Sequence, residues 1–512
     1  MTVRGRGELA VWLLASALAL GGLFYRLGQL PPGLFVDEVA GGYDASALLR
    51  SGRDQYGSRW PMFFRSLDDY KSPLHVYAMV PSQALLGPTA LAVRLPCALC
   101  AIGMAVAMFF LVRRLTERPA LARWMALLAL VAPTLFTYAR HAVSEASMLP
   151  LALVLALLAL VRFGDAPSSR SALLAGLAVG LVAYTYTTAR LLAPLMVALA
   201  ALAWLHDPRA RPKLPWLVAG ALAALAPIGL FLHLHPGTLD RRFHSLWVFW
   251  DHPSTWTALR RILSHYREHM LSFNFLFRTG DPNLRHNVGR GLLPVWLLVP
   301  LGLGLVALWR RRREGSARFL LGLGVLSGLP VALCDFELPH ATRMLHLVPL
   351  AFVVASLGIS DWLQQAGRGR ALLALGLAAV LIEEGSFGKT YFVDYPTHAQ
   401  AWFDDAMDQT LQIAFAARPP GAALRLPDDF FQRDGIYVKF WGQLDPAAVR
   451  EHGLDGLGIR ELDAPYGPEA VIVVPGDSKR EFAGAQRVAE ARLFDHPAAR
   501  WVVLRAGAEQ EP

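Results

Sequence analysis

The chain has 512 residues, 54% hydrophobic and 17% charged, more apolar material than a water-soluble fold usually hides. Its net charge of +9 comes from basic residues spread between apolar runs, which points to membrane topology and excludes a massed nucleic-acid-binding face. The three cysteines, Cys97, Cys100 and Cys334, lie in or beside apolar segments. The C-x-x-C pair lacks the further ligands of a zinc site, so helix packing is its simplest reading and no disulfide framework is expected.

In chain order, a short basic start with Arg4 and Arg6 precedes the apolar run 9–27. No small-residue cleavage pattern follows, so this run is expected to be a retained anchor. Further runs at 91–112, 119–138, 146–162, 171–187, 190–206, 214–234, 292–309, 318–334, 344–363 and 371–388 bring the expected spans to eleven. Crossing the bilayer takes about 20 apolar residues, so several of these are short. With the N-terminus inside, the inner loops include RRLTER, RFGDAPSSR, HDPRARPK, RRRREGSAR and QQAGRGR. All are basic, as short cytoplasmic loops are.

An odd number of crossings places the tail outside, with two long loops, 28–90 and 235–291. The second contains RRFHSLWVFWDHPSTWTALRRILSHYREHM, a pattern suited to an amphipathic helix at the membrane interface. After residue 388 the composition becomes that of soluble sequence. THAQAWFDDAMDQTLQIAFAA predicts a helix, while AALRLP, AVIVVP and RWVVLRA predict strands. The expected organisation is a mostly α membrane domain, 1–388, followed by a small α/β domain, 389–512, on the periplasmic or extracellular side of a bacterial inner membrane.

Chemistry-bearing residues gather at the outer ends of the spans. The first outer loop holds Asp37, Glu38, Asp44, Tyr70, Lys71 and His75, and Arg94 follows at the mouth of the second span. Later corners supply Arg140, His141 and Glu145, then Tyr184, Tyr186 and Arg190, then His233 and His235, and finally Asp335, Glu337, His340 and Arg343. Any one of these alone suits a solvated loop charge or an interfacial anchor, but carboxylates near lipid cost free energy unless partnered or used.

Acids, cations and a lipid boundary together suit a sugar joined through phosphate to a long isoprenoid. The hydrocarbon stays in the bilayer and the reactive bond sits at headgroup level. Arginine and lysine stabilise the departing lipid phosphate. A carboxylate activates an acceptor hydroxyl as general base, with a divalent cation (Mg, Mn or Zn) joining a second carboxylate as an option. Single displacement then inverts the anomeric centre. GDPNLRH, with Asp281, Arg285 and His286, fits ordinary turn chemistry as readily as a metal or phosphate site.

The segments VDEVAGGYDASALLRSGRDQYGSRWP, YKSPLHVY, GPTALAVRLP, YARHAVSEAS, FLFRTGDPNLRHNVGRG and HATRMLHLVP resemble the bacterial polyprenyl-phosphate-sugar transferases. That group includes protein O-mannosyltransferases and lipid A aminoarabinose transferases, and the resemblance implies the GT-C fold. It further implies Asp37 as the catalytic carboxylate, Glu38 as its structural or electrostatic support, and Glu145 as a second acid that completes a metal site with Asp37 or orients the acceptor. Lys71, Arg94 and Arg343, accompanied by Tyr70 and His340, are implied near the lipid phosphate. The partners expected are a lipid-linked sugar donor, an acceptor of unidentified kind and membrane lipid. Other classes compatible with the sequence are a transporter or flippase of a lipid-linked or anionic solute, which usually shows internal repeats absent here, and a non-catalytic assembly subunit.

Overall fold

The computed structural model describes residues 3–66, 69–143, 145–238, 247–251, 253–365, 370–478, 482, 485–492 and 499–506. Each expected span falls on helix. Six helical stretches are long and apolar enough to cross a membrane: Gly7–Phe24, Ala90–Thr116, Glu145–Asp165, Arg211–Leu234, Gly315–Ala332 and Leu347–Gln364. Pro119–Val131 and Pro133–Arg140 form a pair bent by 59°, broken at Pro133, whose ring denies the preceding turn a hydrogen bond. Ser169–Val182, Ala189–Trp204 and Val295–Arg310 are apolar but shorter, and the last expected span lies on Arg370–Lys389.

The segment 28–90 contains two helices that no strong local pattern announces. We label Val3–Phe24 α1, Val36–Ser51 α2, Pro73–Leu86 α3 and Ala90–Thr116 α4. A hairpin of β1, Phe64–Ser66, and β2, Asp69–Lys71, lies between α2 and α3, with Phe64 opposite Lys71. The α2 helix begins after an extended Phe35, whose N–H donates to the Glu38 carboxylate at 2.9 Å. Acids in a first turn also meet the positive end of the helix dipole. It ends at Gly52, which adopts φ 67° and returns its N–H to Leu48 O, a left-handed cap that glycine takes without steric cost.

In the long loop 235–291, Thr255–Met270 is an amphipathic helix. Trp256, Leu259 and Leu263 are exposed, whereas His265 and His269 are buried. Residues 239–246 and 252 of this loop lie outside the described residues.

The tail forms a five-stranded sheet in the order β4-β3-β5-β7-β6, using Leu424–Leu426 (β3), Ile459–Glu461 (β4), Val471–Pro475 (β5), Gln486–Arg492 (β6) and Ala499–Arg505 (β7). The three expected strands are β3, β5 and β7. The expected helix is broken at Asp404, which takes φ 50°, and resumes as Asp405–Ala417. This domain shares its core with α2, because Leu34, Val39, Tyr43 and Leu48 pack in one buried cluster with Ile436, Val438, Phe440 and Val471. It also holds the segment entering α2. The Tyr437 hydroxyl lies 3.1 Å from Leu34 O, and Asp408 accepts the Leu34 N–H.

Candidate active site

Asp37 and Glu38 are neighbours on a helix, so their side chains point about 100° apart. The side chain of Asp37 stays 25% exposed and that of Glu38 is fully buried. Asp37 opens onto a small cleft lined also by Asp44, Ser66, Lys71, Ser72, His75 and Glu145. Lys71 Nζ lies 3.5 Å from Asp37 Oδ2 and 3.4 Å from Asp69 Oδ2. The β1–β2 hairpin therefore delivers the ammonium to the carboxylate from across the cleft. Glu145 arrives from the 3₁₀ turn Glu145–Met148.

Asp44 and Gly41 follow Asp37 along one face of α2 at helical spacing, which is how all three reach the cleft. Burial pushes the Asp44 carboxyl up to about 8, against donation from the Gln55 backbone. Burial likewise pushes His75 down to about 4. Both groups are therefore uncharged near neutrality, leaving Asp37 and Lys71 as the cleft's closest opposite charges.

Glu38 does different work. Its carboxylate accepts from Arg94 Nε at 2.9 Å and from the Ala142 N–H at 2.8 Å. Burial alone would raise its carboxyl, but the Arg94 guanidinium, then His141 and the Ala142 N–H, hold it below the ordinary carboxylate range. Arg94 spends its remaining donors on the carbonyls of Leu27, Pro31 and Gly33. It is fully buried and lies outside the cleft lining, so its position departs from the phosphate-binding place the resemblance implied. It is a clamp, joining α4 to the turn segment before α2.

Among the other expected residues, Tyr70 is half-buried with its ring 6.2 Å from that of Phe231, and neither it nor Arg343 lines the cleft. Arg343 is buried and donates to Phe336 O. His340 belongs to a separate cluster with Asp281 and His286. His233 and His235 are exposed. Arg285, which the sequence places in an ordinary turn, stacks on Phe35 at 4.1 Å and lies within the electrostatic reach of Asp37 and Glu337. Arg190 reaches Ser72 Oγ at 3.4 Å and covers the Phe63 ring. Sequence reasoning places Asp44 and Arg190 among the charged residues at the span ends without giving either a role, and it does not single out Ser66 or Ser72. Recognising α2 as a helix would put Asp44, seven residues after Asp37, on the face of Asp37; nothing local in the sequence marks the two serines.

Asp37 and Glu145 fit a divalent ion poorly, being two carboxylates with the Lys71 ammonium already beside one of them. Among the described residues, the group of three or more metal-ligating side chains that converges is Asp281, His286 and His340, none of which lines the cleft.

Residues 70–231 match the sequence profile of the family described as dolichyl-phosphate-mannose-protein mannosyltransferase. No curated protein matches by sequence. Among solved structures, the chain is similar to ArnT from Cupriavidus metallidurans bound to undecaprenyl phosphate, with 15% identity over 97% of this chain and 99% of that one and a TM-score of 0.59. The same protein in the apo state gives 14% identity, 99% coverage of both chains and a TM-score of 0.56. The chain is a multi-pass membrane protein with the GT-C fold.

Proposed function

We propose that this protein is a membrane glycosyltransferase that moves a sugar from a polyprenyl-phosphate-linked donor to an acceptor hydroxyl or other nucleophile at the outer face of a bacterial inner membrane. The observation that carries the reading is the convergence of Asp37, Lys71 and Glu145 on one cleft. The undecaprenyl phosphate bound by the ArnT relative supports the donor class.

In this mechanism the donor phosphate competes for the Lys71 ammonium and draws it from Asp37. The freed carboxylate accepts the proton of the acceptor hydroxyl as that oxygen attacks the anomeric carbon. The bond to the phosphate oxygen breaks on the opposite face, and the anomeric centre inverts. Lys71, with Arg285, Arg190 and Arg343 around it, stabilises the departing lipid phosphate, so the leaving group needs no proton donor. Glu145 orients the acceptor. The N-terminus is cytoplasmic, the tail lies on the outer side, and the tail domain shapes the acceptor entrance.

The test is transfer of label from a panel of radiolabelled polyprenyl-phosphate sugars, incubated with purified protein and native membranes. Label passing from one donor into a membrane acceptor is the expected result. No transfer from any donor, with intact labelled lipid accumulating across sealed vesicles instead, overturns the enzyme reading in favour of a flippase.

A further inference from the structure

We propose that Asp281, His286 and His340 form a binding site for one zinc-class divalent cation, separate from the Asp37 cleft and tying two outer loops together. The three side chains come from the turn after Phe277 and from the loop preceding Thr342–Met344. All three are more than nine-tenths buried, and one ligand atom from each lies within 4.8 Å of the others. His286 Nδ1 is 2.8 Å and His340 Nδ1 is 3.9 Å from Asp281 Oδ2. Tetrahedral zinc with bonds of ~2.1 Å holds its donors ~3.4 Å apart, so the two distances bracket the value required. All three donor pairs lie within 4.8 Å, so side-chain adjustment without backbone rearrangement brings them to a ligand set.

A second observation points the same way. His340 Nδ1 is buried and has no hydrogen-bond partner, an uncompensated cost that a metal bond would remove. The opposite nitrogen of that ring, Nε2, lies 3.7 Å from Glu337 Oε2. A carboxylate behind a histidine, with the free nitrogen facing the donors, is the arrangement that orients metal-bound imidazoles.

The surrounding backbone holds the donors in place. Asp281 accepts from the Asn283 and Ala341 N–H groups at 2.8 and 2.9 Å, and the His340 N–H donates to His269 Nε2 at 3.2 Å. Gly280 has φ 67°, and a Cβ there would meet the Arg290 carbonyl oxygen at 2.0 Å, so the turn that presents Asp281 closes only around glycine. The imidazole rings of His286 and His340 stack with centroids 4.3 Å apart. Histidine and carboxylate ligands favour zinc over magnesium or calcium. The fourth position is left for water or an anionic oxygen. Arg285 and Arg343 both act electrostatically on His340, so the ion would fix the loops that carry these two cations.

The experiment uses tag-free full-length protein in detergent, stripped with chelator and dialysed against zinc, with bound metal measured by plasma emission. Cobalt(II) absorption and the zinc dependence of thermal unfolding are read in parallel. The wild type should take up about one zinc per chain and melt at a higher temperature with zinc, as a ligand specific to the folded state requires. His286→Ala and His340→Ala should weaken uptake by more than about 100-fold, and Glu337→Gln by about tenfold. Asp37→Asn should bind zinc as the wild type does. Wild-type protein that takes up none overturns the proposal without reference to any variant, as does uptake that survives both histidine substitutions or disappears with Asp37→Asn.

Discussion

Asp37 and Glu38 are adjacent in sequence and occupy opposite kinds of environment. Asp37 faces an open cleft, with one cation 3.5 Å away. Glu38 sits in a sealed cluster, bound to Arg94 and to the backbone on both sides of it. The contrast shows how one dipeptide meets two environments at once: a rotation of about 100° on a helix separates a carboxylate open to the cleft from one committed to protein partners. It also explains why the cleft holds its shape, since Glu38 and Arg94 pin the segment that leads into Asp37.

Substitutions can break this comparison at either end. The largest expected effect is on turnover: Asp37→Asn should lower sugar transfer by about 10²–10⁴-fold, the range for loss of a general base, with an unchanged melting temperature. Near-normal transfer would remove Asp37 from its role. Next is stability, where Glu38→Gln or Arg94→Ala should cost about 3–5 kcal/mol, because each leaves a buried charge without its partner. Lower melting temperature and loss of a monodisperse peak on size exclusion would read this out. A Glu38→Gln protein that is fully stable but inactive would instead move Glu38 into the catalytic group.

A third effect appears only as pH is varied and concerns Asp44, whose carboxyl is raised by burial from its ordinary 3.8 to about 8. Between those values the folded chain keeps a proton that the unfolded chain has lost, so this group makes stability decline as pH rises from about 4 to about 8. Asp44→Asn should flatten that part of the melting-temperature profile and leave the protein more stable than wild type at the upper end. Unchanged slopes would show that Asp44 is ionised in the folded state.

Local patterns were the legible part of this molecule. Apolar runs marked the helices, and short runs rich in Val with Ile, Leu or Trp marked β5 and β7. The helix α2 was not legible: Gly41 and Gly42 lower its propensity, and its stability comes from packing against the tail domain and α3. The clamp was hidden for a related reason, because Glu38 and Arg94 are 56 residues apart and nothing local distinguishes an arginine that ends up buried from one that meets phosphate. The cluster of Asp281, His286 and His340 draws on two loops joined only by the fold.

By itself, the sequence determined which segments are apolar enough to leave water and which residue types stand at their ends, since hydropathy and helical period act over a few consecutive residues. The tertiary structure alone decided which of those charged residues face the cleft, which pair in the interior and which converge as a ligand set. Those outcomes depend on distances between segments far apart in the chain, and burial changes the cost of a charge more than its identity does.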